Sequence, residues 1–91
     1  MAGSLKVGPP VSHIIETEID EDVSLYDARA ERVVVLNTTA SDIWRLADGE
    51  HTLDEIVDLL AGAYSTAPET IRSDIEQVIA SLIDDGLLQS A

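Results

Sequence analysis

The stretch Val33–Tyr64, VVVLNTTASDIWRLADGEHTLDEIVDLLAGAY, constrains the fold more than any other part of the chain. It reads as a strand, a capped short helix carrying the only tryptophan, Trp44, a Gly-punctuated turn, and a second capped helix. The strand is nearly uncharged and apolar on both faces. Such a strand calls for a neighbour on each side, and a chain of 91 residues is short of segments to supply them.

The helical half follows from spacing and caps. Asn37 or Thr38 can accept from the free N–H groups of the first helix. Ala40, Ile43, Trp44 and Ala47 then recur at i, i+3, i+4 and i+7, which is one helical face. Gly49 suits a left-handed residue closing that helix. Thr52-Leu53-Asp54-Glu55 is a capping box, and the helix it opens carries Leu53, Ile56, Val57, Leu60 and Tyr64 on one side. Leu59 widens the stripe, which predicts a well-buried helix. Thr66-Ala67-Pro68-Glu69 reads as a second capping box, with Pro68 in the first turn. The last helix runs to about Asp85, stops at Gly86, and lets Leu87 and Leu88 tuck back onto the core. At ~100° per residue, Ile71, Ile75, Val78, Ile79, Leu82 and Ile83 span roughly 140° of its circumference, wider than the ~100° stripe of a surface helix. Arg72 falls inside that arc. Its stem either snorkels at the rim of the core or stands at the lip of an open groove.

Ahead of these helices lie three strands. Val11–Ile19 is rich in β-branched residues, with Val11, His13, Ile15, Thr17 and Ile19 on one face at period two. Asp20, Glu21 and Asp22 mark a turn, Val23–Ala28 alternates again, and Ala28–Glu31 connects to Arg32–Leu36 without a strong turn signal. Consecutive strands with short links make an antiparallel meander. Residues 1–10, with Gly8, Pro9 and Pro10, read as a flexible tail, and residues 11–91 as one α+β domain.

Composition excludes several functions. A domain this small buries only about 60–65% of its unfolded surface, so its stability is marginal and a partner adds to it. The net charge is −13, from 18 acidic and 5 basic residues. Nucleic-acid affinity comes mostly from Lys and Arg on phosphates. Lys6, Arg29, Arg32, Arg45 and Arg72 make no basic stripe, so no nucleic-acid partner is expected. The acidic surface serves solubility or attracts a basic peptide or enzyme. With no cysteine there is no disulfide, thiolate metal site or thiol nucleophile, which fits the cytoplasm. No apolar run approaches the ~20 residues of a membrane span, and no signal-peptide layout is present. His13 and His51 lie on different elements without a ligand cluster. Asp20, Glu21 and Asp22 lack the spacing and glycine of a calcium loop. No Gly-rich phosphate loop follows a strand. The expectation is a non-enzyme with no metal and no cofactor.

The segment LNTTASDIWRLADGEHTLDEIVDLLAGAY, followed by a long helix ending in DDGLL, resembles the PqqD-like family over about residues 11–89. The most specific parts are Leu36-Asn37 leading to Ile43-Trp44, the Asp48-Gly49 turn, Thr52 to Ile56, and Gly86-Leu87-Leu88. The order and spacing of these parts carry the resemblance. It implies a winged helix-turn-helix-like α+β fold, with a three-stranded antiparallel sheet followed by three helices. It implies a peptide-recognition domain of ribosomally made, post-translationally modified peptide (RiPP) pathways. Such domains bind the leader of a precursor peptide as a strand added to the third strand, in the cleft beside the last helix. A stand-alone domain of this size looks most like the leader-binding protein of lasso-peptide pathways, which hands the precursor to a leader peptidase and a cyclase.

Strand addition needs an exposed edge. Edges are normally blunted by Lys, Pro or inward charge, and Val33–Val35 carry none. By itself that pattern favours a strand buried between neighbours; with the resemblance, an open edge is the expectation. Val33, Val34, Val35 and Leu36 are then the template, and Ile71, Ile75, Val78 and Ile79 the apolar wall. Arg72 and Asp74 border the groove, while Trp44, Ile56, Val57, Leu60 and Leu82 are core. The competing readings are a winged-helix DNA-binding regulator, a recognition element of another RiPP class such as a radical-SAM pathway, and a structural subunit that pairs its edge with another sheet.

Overall fold

The computed structural model describes residues 3–89. The elements are β1 (Ile14–Ile19), β2 (Asp22–Asp27), β3 (Arg32–Val35), α1 (Thr38–Leu46), α2 (Leu53–Ala63) and α3 (Pro68–Asp84). The strands form one antiparallel sheet in the order β1-β2-β3. Ile14 to Ile19 pair with Asp27 to Asp22, and Ser24 to Asp27 pair with Val35 to Arg32. This is the expected α+β architecture. β1 starts later than the β-branched run implies, because Val11–Ile14 closes a turn, with the Ile14 N–H on the Val11 carbonyl at 3.1 Å.

The β2–β3 hairpin is set by Asp27 rather than by glycine. Its carboxylate accepts the Arg29 and Ala30 N–H groups at 3.0 and 3.1 Å, an Asx-type turn, and Glu31 takes a left-handed φ of 51°. His13 Nε2 lies 3.0 Å from the same oxygen. The Ala30 N–H, above all, and the His13 ring hold the Asp27 carboxyl below its ordinary pKa, against the opposing effect of burial.

Val23 and Leu25 are fully buried and send the inner face of the sheet onto the helices. There they meet Ile43 and Trp44 of α1, Leu53, Ile56 and Val57 of α2, and Ile75 and Ile79 of α3. Burying each such side chain contributes about 1.5–3 kcal/mol, so this cluster is the main source of stability. Ser41, on α1 and fully buried, completes the sheet where β3 ends. Leu36 donates to the Val23 carbonyl at 2.9 Å. The return rung is made through Ser41 Oγ, which accepts from Val23 N–H at 2.9 Å and donates to the Leu36 carbonyl at 3.3 Å.

Caps follow the expectations at two helices of three. Asn37 accepts the Ala40 N–H at 2.8 Å, and Thr52 and Glu55 form the reciprocal capping box. α3 has no side-chain cap. Its N-cap is Ala67, so Thr66 stands one residue too early, and its hydroxyl turns to the Tyr64 carbonyl. Gly86 has φ 75°, and Leu87 and Leu88 fold back into the core. On α2, Leu59 is 50% exposed and Tyr64 39%, so the apolar stripe is narrower in use than its pattern suggests.

The expected free tail is instead a docked strap. Val7 N–H donates to His51 O and Gly49 N–H to Val7 O, at 2.9 and 2.8 Å, while Leu5 and Gly3 carbonyls accept from Leu53 and Asp54 at the start of α2. Val7 is buried. A Cβ on Gly8, whose φ is 87°, would collide with the Ala47 carbonyl, so glycine permits the close approach. The strap then joins the C-terminal segment, with Val11 N–H on Leu87 O and Gln89 N–H on Pro9 O. Met1 and Ala2 lie outside the described residues. Among the described residues, no helix is long and apolar enough to cross a membrane.

Candidate functional site

Strand order leaves β3 at one border of the sheet. In an antiparallel ladder, inward- and outward-directed backbone groups alternate along a strand. Leu36 bonds toward Val23, so its register mates Val34 and Arg32 also bond toward β2. Val33 and Val35 therefore direct N–H and C=O away from the sheet. Their side chains stand on the outer face, 62% and 68% exposed, whereas Val34 and Leu36 point inward.

Beside this border, between β3 and α3, lies a cleft of about 470 Å³. Val34, Leu36, Ala40, Val78 and Leu82 make its apolar floor, and Asp74, Gln77, Ser81 and Asp85 its polar rim along α3. Next to the Asp85 end, the Arg32 guanidinium donates to the Asp85 carbonyl at 2.6 Å, a cation on the carbonyl end of a helix. Arg32 Nε is buried without a partner among the described residues.

The other sheet border, at β1, is different. Beyond Ile14, which packs against the core, its inward-facing positions are Glu16 and Glu18, bound to Trp44 Nε1 and Arg45 respectively. Charge at such positions is a standard guard against edge pairing. The Arg45 guanidinium is held above its ordinary pKa by Glu18 first and then Asp42. A second groove, of about 320 Å³ between α1 and α2, has Leu59 and Leu60 in it and Arg45 and Asp42 at its mouth. It touches no free strand.

Of the residues expected at the site, the structure brings together Val33, Val34, Val35, Leu36, Asp74 and Val78. Ile75 and Ile79 are 2% and 0% exposed, enclosed by the core, so they cannot form a wall facing a ligand. Ile71 packs against the core and lies outside the cleft. Arg72 is elsewhere: it pairs with Asp54 of α2 at 2.5 Å and approaches Glu76 at 3.8 Å. These carboxylates, Asp54 foremost, hold its pKa up. At ~100° per residue, Arg72 and Asp74 stand roughly 160° apart around α3, so one groove cannot hold both. Leu82, expected as core alone, also floors the cleft. Gln77, Ser81 and Asp85 are new to the site. Their i, i+4, i+8 spacing follows the Asp74–Val78 flank and carries the signal. No group of three or more His, Cys, Asp or Glu able to hold a metal occurs among the described residues.

Similar proteins share this architecture. A solved chain described as TbiB1 in complex with the TbiA(beta) leader peptide superposes with a TM-score of 0.82 at 24% identity, covering 90% of this chain and 95% of that one. Another, described as lasso peptide synthetase B1 complexed with the leader peptide, gives 0.77 at 25% identity, covering 90% and 96%. Curated relatives named PqqA binding protein are 31% identical over 61 residues in Bradyrhizobium diazoefficiens and 34% over 59 residues in Methylococcus capsulatus. Those matches cover 67% and 65% of this chain, but it spans only 59% and 61% of the relatives' own lengths. The family model for coenzyme PQQ synthesis protein D (PqqD) matches residues 18–88. That span holds β2, β3, all three helices and the whole cleft, and the chain belongs to the PqqD family.

Proposed function

We propose that this chain is a non-catalytic recognition domain that binds the leader segment of a precursor peptide as a fourth strand on β3. The single observation that carries the reading is the unpaired outward row of Val33 and Val35 lying alongside an apolar cleft. Main-chain bonds to that row supply affinity, and alternate ligand side chains enter the cleft over Val34, Leu36, Val78 and Leu82. Two observations support it from outside the chain. Relatives in the family are named for binding PqqA, and a structural neighbour at 25% identity was solved with a leader peptide. The lasso-peptide pathway is the class proposed, with a leader peptidase and a cyclase as the enzymes that receive the precursor.

The test is calorimetric titration with synthetic leader segments of precursors encoded beside the gene. Trp44 is a poor reporter, because it is buried under β1, at the far border of the sheet. The expected result is sub-micromolar binding of one leader and none of its scrambled form. Val35→Pro removes an outward N–H and projects a ring over the border, where proline is structurally tolerated. It should leave the protein folded and weaken binding at least tenfold. Val34→Pro instead breaks the ladder to Leu25 and should destabilise the fold by more than about 1 kcal/mol. Undiminished leader binding by a folded Val35→Pro variant overturns the docking mode.

A further inference from the structure

Resting on the strand-addition reading, we propose that Asp74 sets the register of the bound peptide by selecting a Lys or Arg at one position of it. Main-chain hydrogen bonds are blind to sequence, and an apolar floor accepts many side chains. A short strand guest is therefore free to slip unless some polar device pins it. The rim carries a carboxylate at each end, and the surroundings of the two differ. Asp74 and Asp85 mark its two ends, eleven residues apart on α3, about 16 Å along the helix axis. At the Asp85 end the Arg32 guanidinium already sits against α3. At the Asp74 end the carboxylate makes no hydrogen bond and no ion pair among the described residues, and no cation lines that part of the cleft.

None of the five Lys and Arg side chains lines the cleft: Arg29 belongs to the β2–β3 turn and Arg32 donates to the Asp85 carbonyl. Lys6 lies 3.9 Å from Glu50, Arg45 is on Glu18 and Asp42, and Arg72 is on Asp54 and Glu76. The charge that would complement Asp74 must come with the guest. A slip of one residue turns that guest side chain to the opposite face, and a slip of two moves it ~7 Å along the strand. One basic residue is thus enough to distinguish registers.

The experiment is selection of a displayed library of random 12-residue peptides on the full chain, on Asp74→Asn, on Asp74→Lys, and on Asp58→Lys. Asp58 is exposed on α2, outside the cleft, and controls for net charge. Circular dichroism checks that each variant is folded. Wild type should enrich alternating apolar peptides with Lys or Arg fixed at one position. Asp74→Asn should lose that preference, and Asp74→Lys should replace it with Asp or Glu. By calorimetry, the wild-type winner should bind Asp74→Lys about tenfold more weakly and Asp58→Lys unchanged. Basic residues spread evenly over all positions, or the same fixed basic residue on Asp74→Lys, overturn the proposal while leaving strand addition intact. Failure of any peptide family to enrich on wild type overturns strand addition itself, and this inference with it.

Discussion

Ser41 shows how much one side chain can decide. Its hydroxyl stands in for the rung that β2 and β3 cannot make directly, and it joins that rung to α1. Replacing it with alanine leaves the Val23 N–H buried without a partner, so Ser41→Ala should cost about 1–3 kcal/mol in chemical denaturation. An unchanged midpoint would show that the rung is dispensable. Nothing in the sequence singles this serine out, since a serine near a helix start reads as surface or cap. Asn37 and the Thr52–Glu55 pair were legible because capping is a local rule. Asp27 was legible in principle: an Asp with two free N–H groups after it is a turn device as good as glycine. At the Asp48–Glu50 turn the Glu50 N–H, and then the His51 ring, hold the Asp48 carboxyl down to about 2, while Asp48 raises the His51 pKa.

The helix α3 has two working flanks and a buried ridge between them. Ile75 and Ile79 form the ridge, Arg72 faces α2, and Asp74, Val78 and Asp85 face β3. The pattern of its apolar arc was legible, but it does not tell which part of a wide arc is core and which lines a groove. That depends on where β3 and α2 fall on either side. Three substitutions separate the roles. Ile79→Ala should destabilise the protein by about 2–5 kcal/mol. Val78→Ala, at a partly buried position on the edge of the core, should lower the melting temperature much less than Ile79→Ala does and weaken leader binding. Arg72→Ala should leave the affinity as it was. A loss of leader affinity on Arg72→Ala as large as that on Val78→Ala would place the groove on the wrong flank.

Across the whole molecule, the strap at residues 3–11 ties the α1–α2 turn to the segment after α3. It was illegible in the sequence because its hold is mostly main-chain, and Gly8-Pro9-Pro10 reads as a break in structure. Removing residues 1–8 takes away the burial of Val7, about 1.5–3 kcal/mol, and several hydrogen bonds. The melting temperature should then fall by about 10 °C; no shift would mean the strap is only laid on the surface. One consequence of the β3 border concerns time. Two outward residues offer four main-chain groups, a net gain of roughly 2–6 kcal/mol, short of the ~8 kcal/mol of a micromolar complex. Backbone zipping by itself makes a brief visit. How long a guest dwells before it is passed on is set by the few side chains it lodges in the floor below.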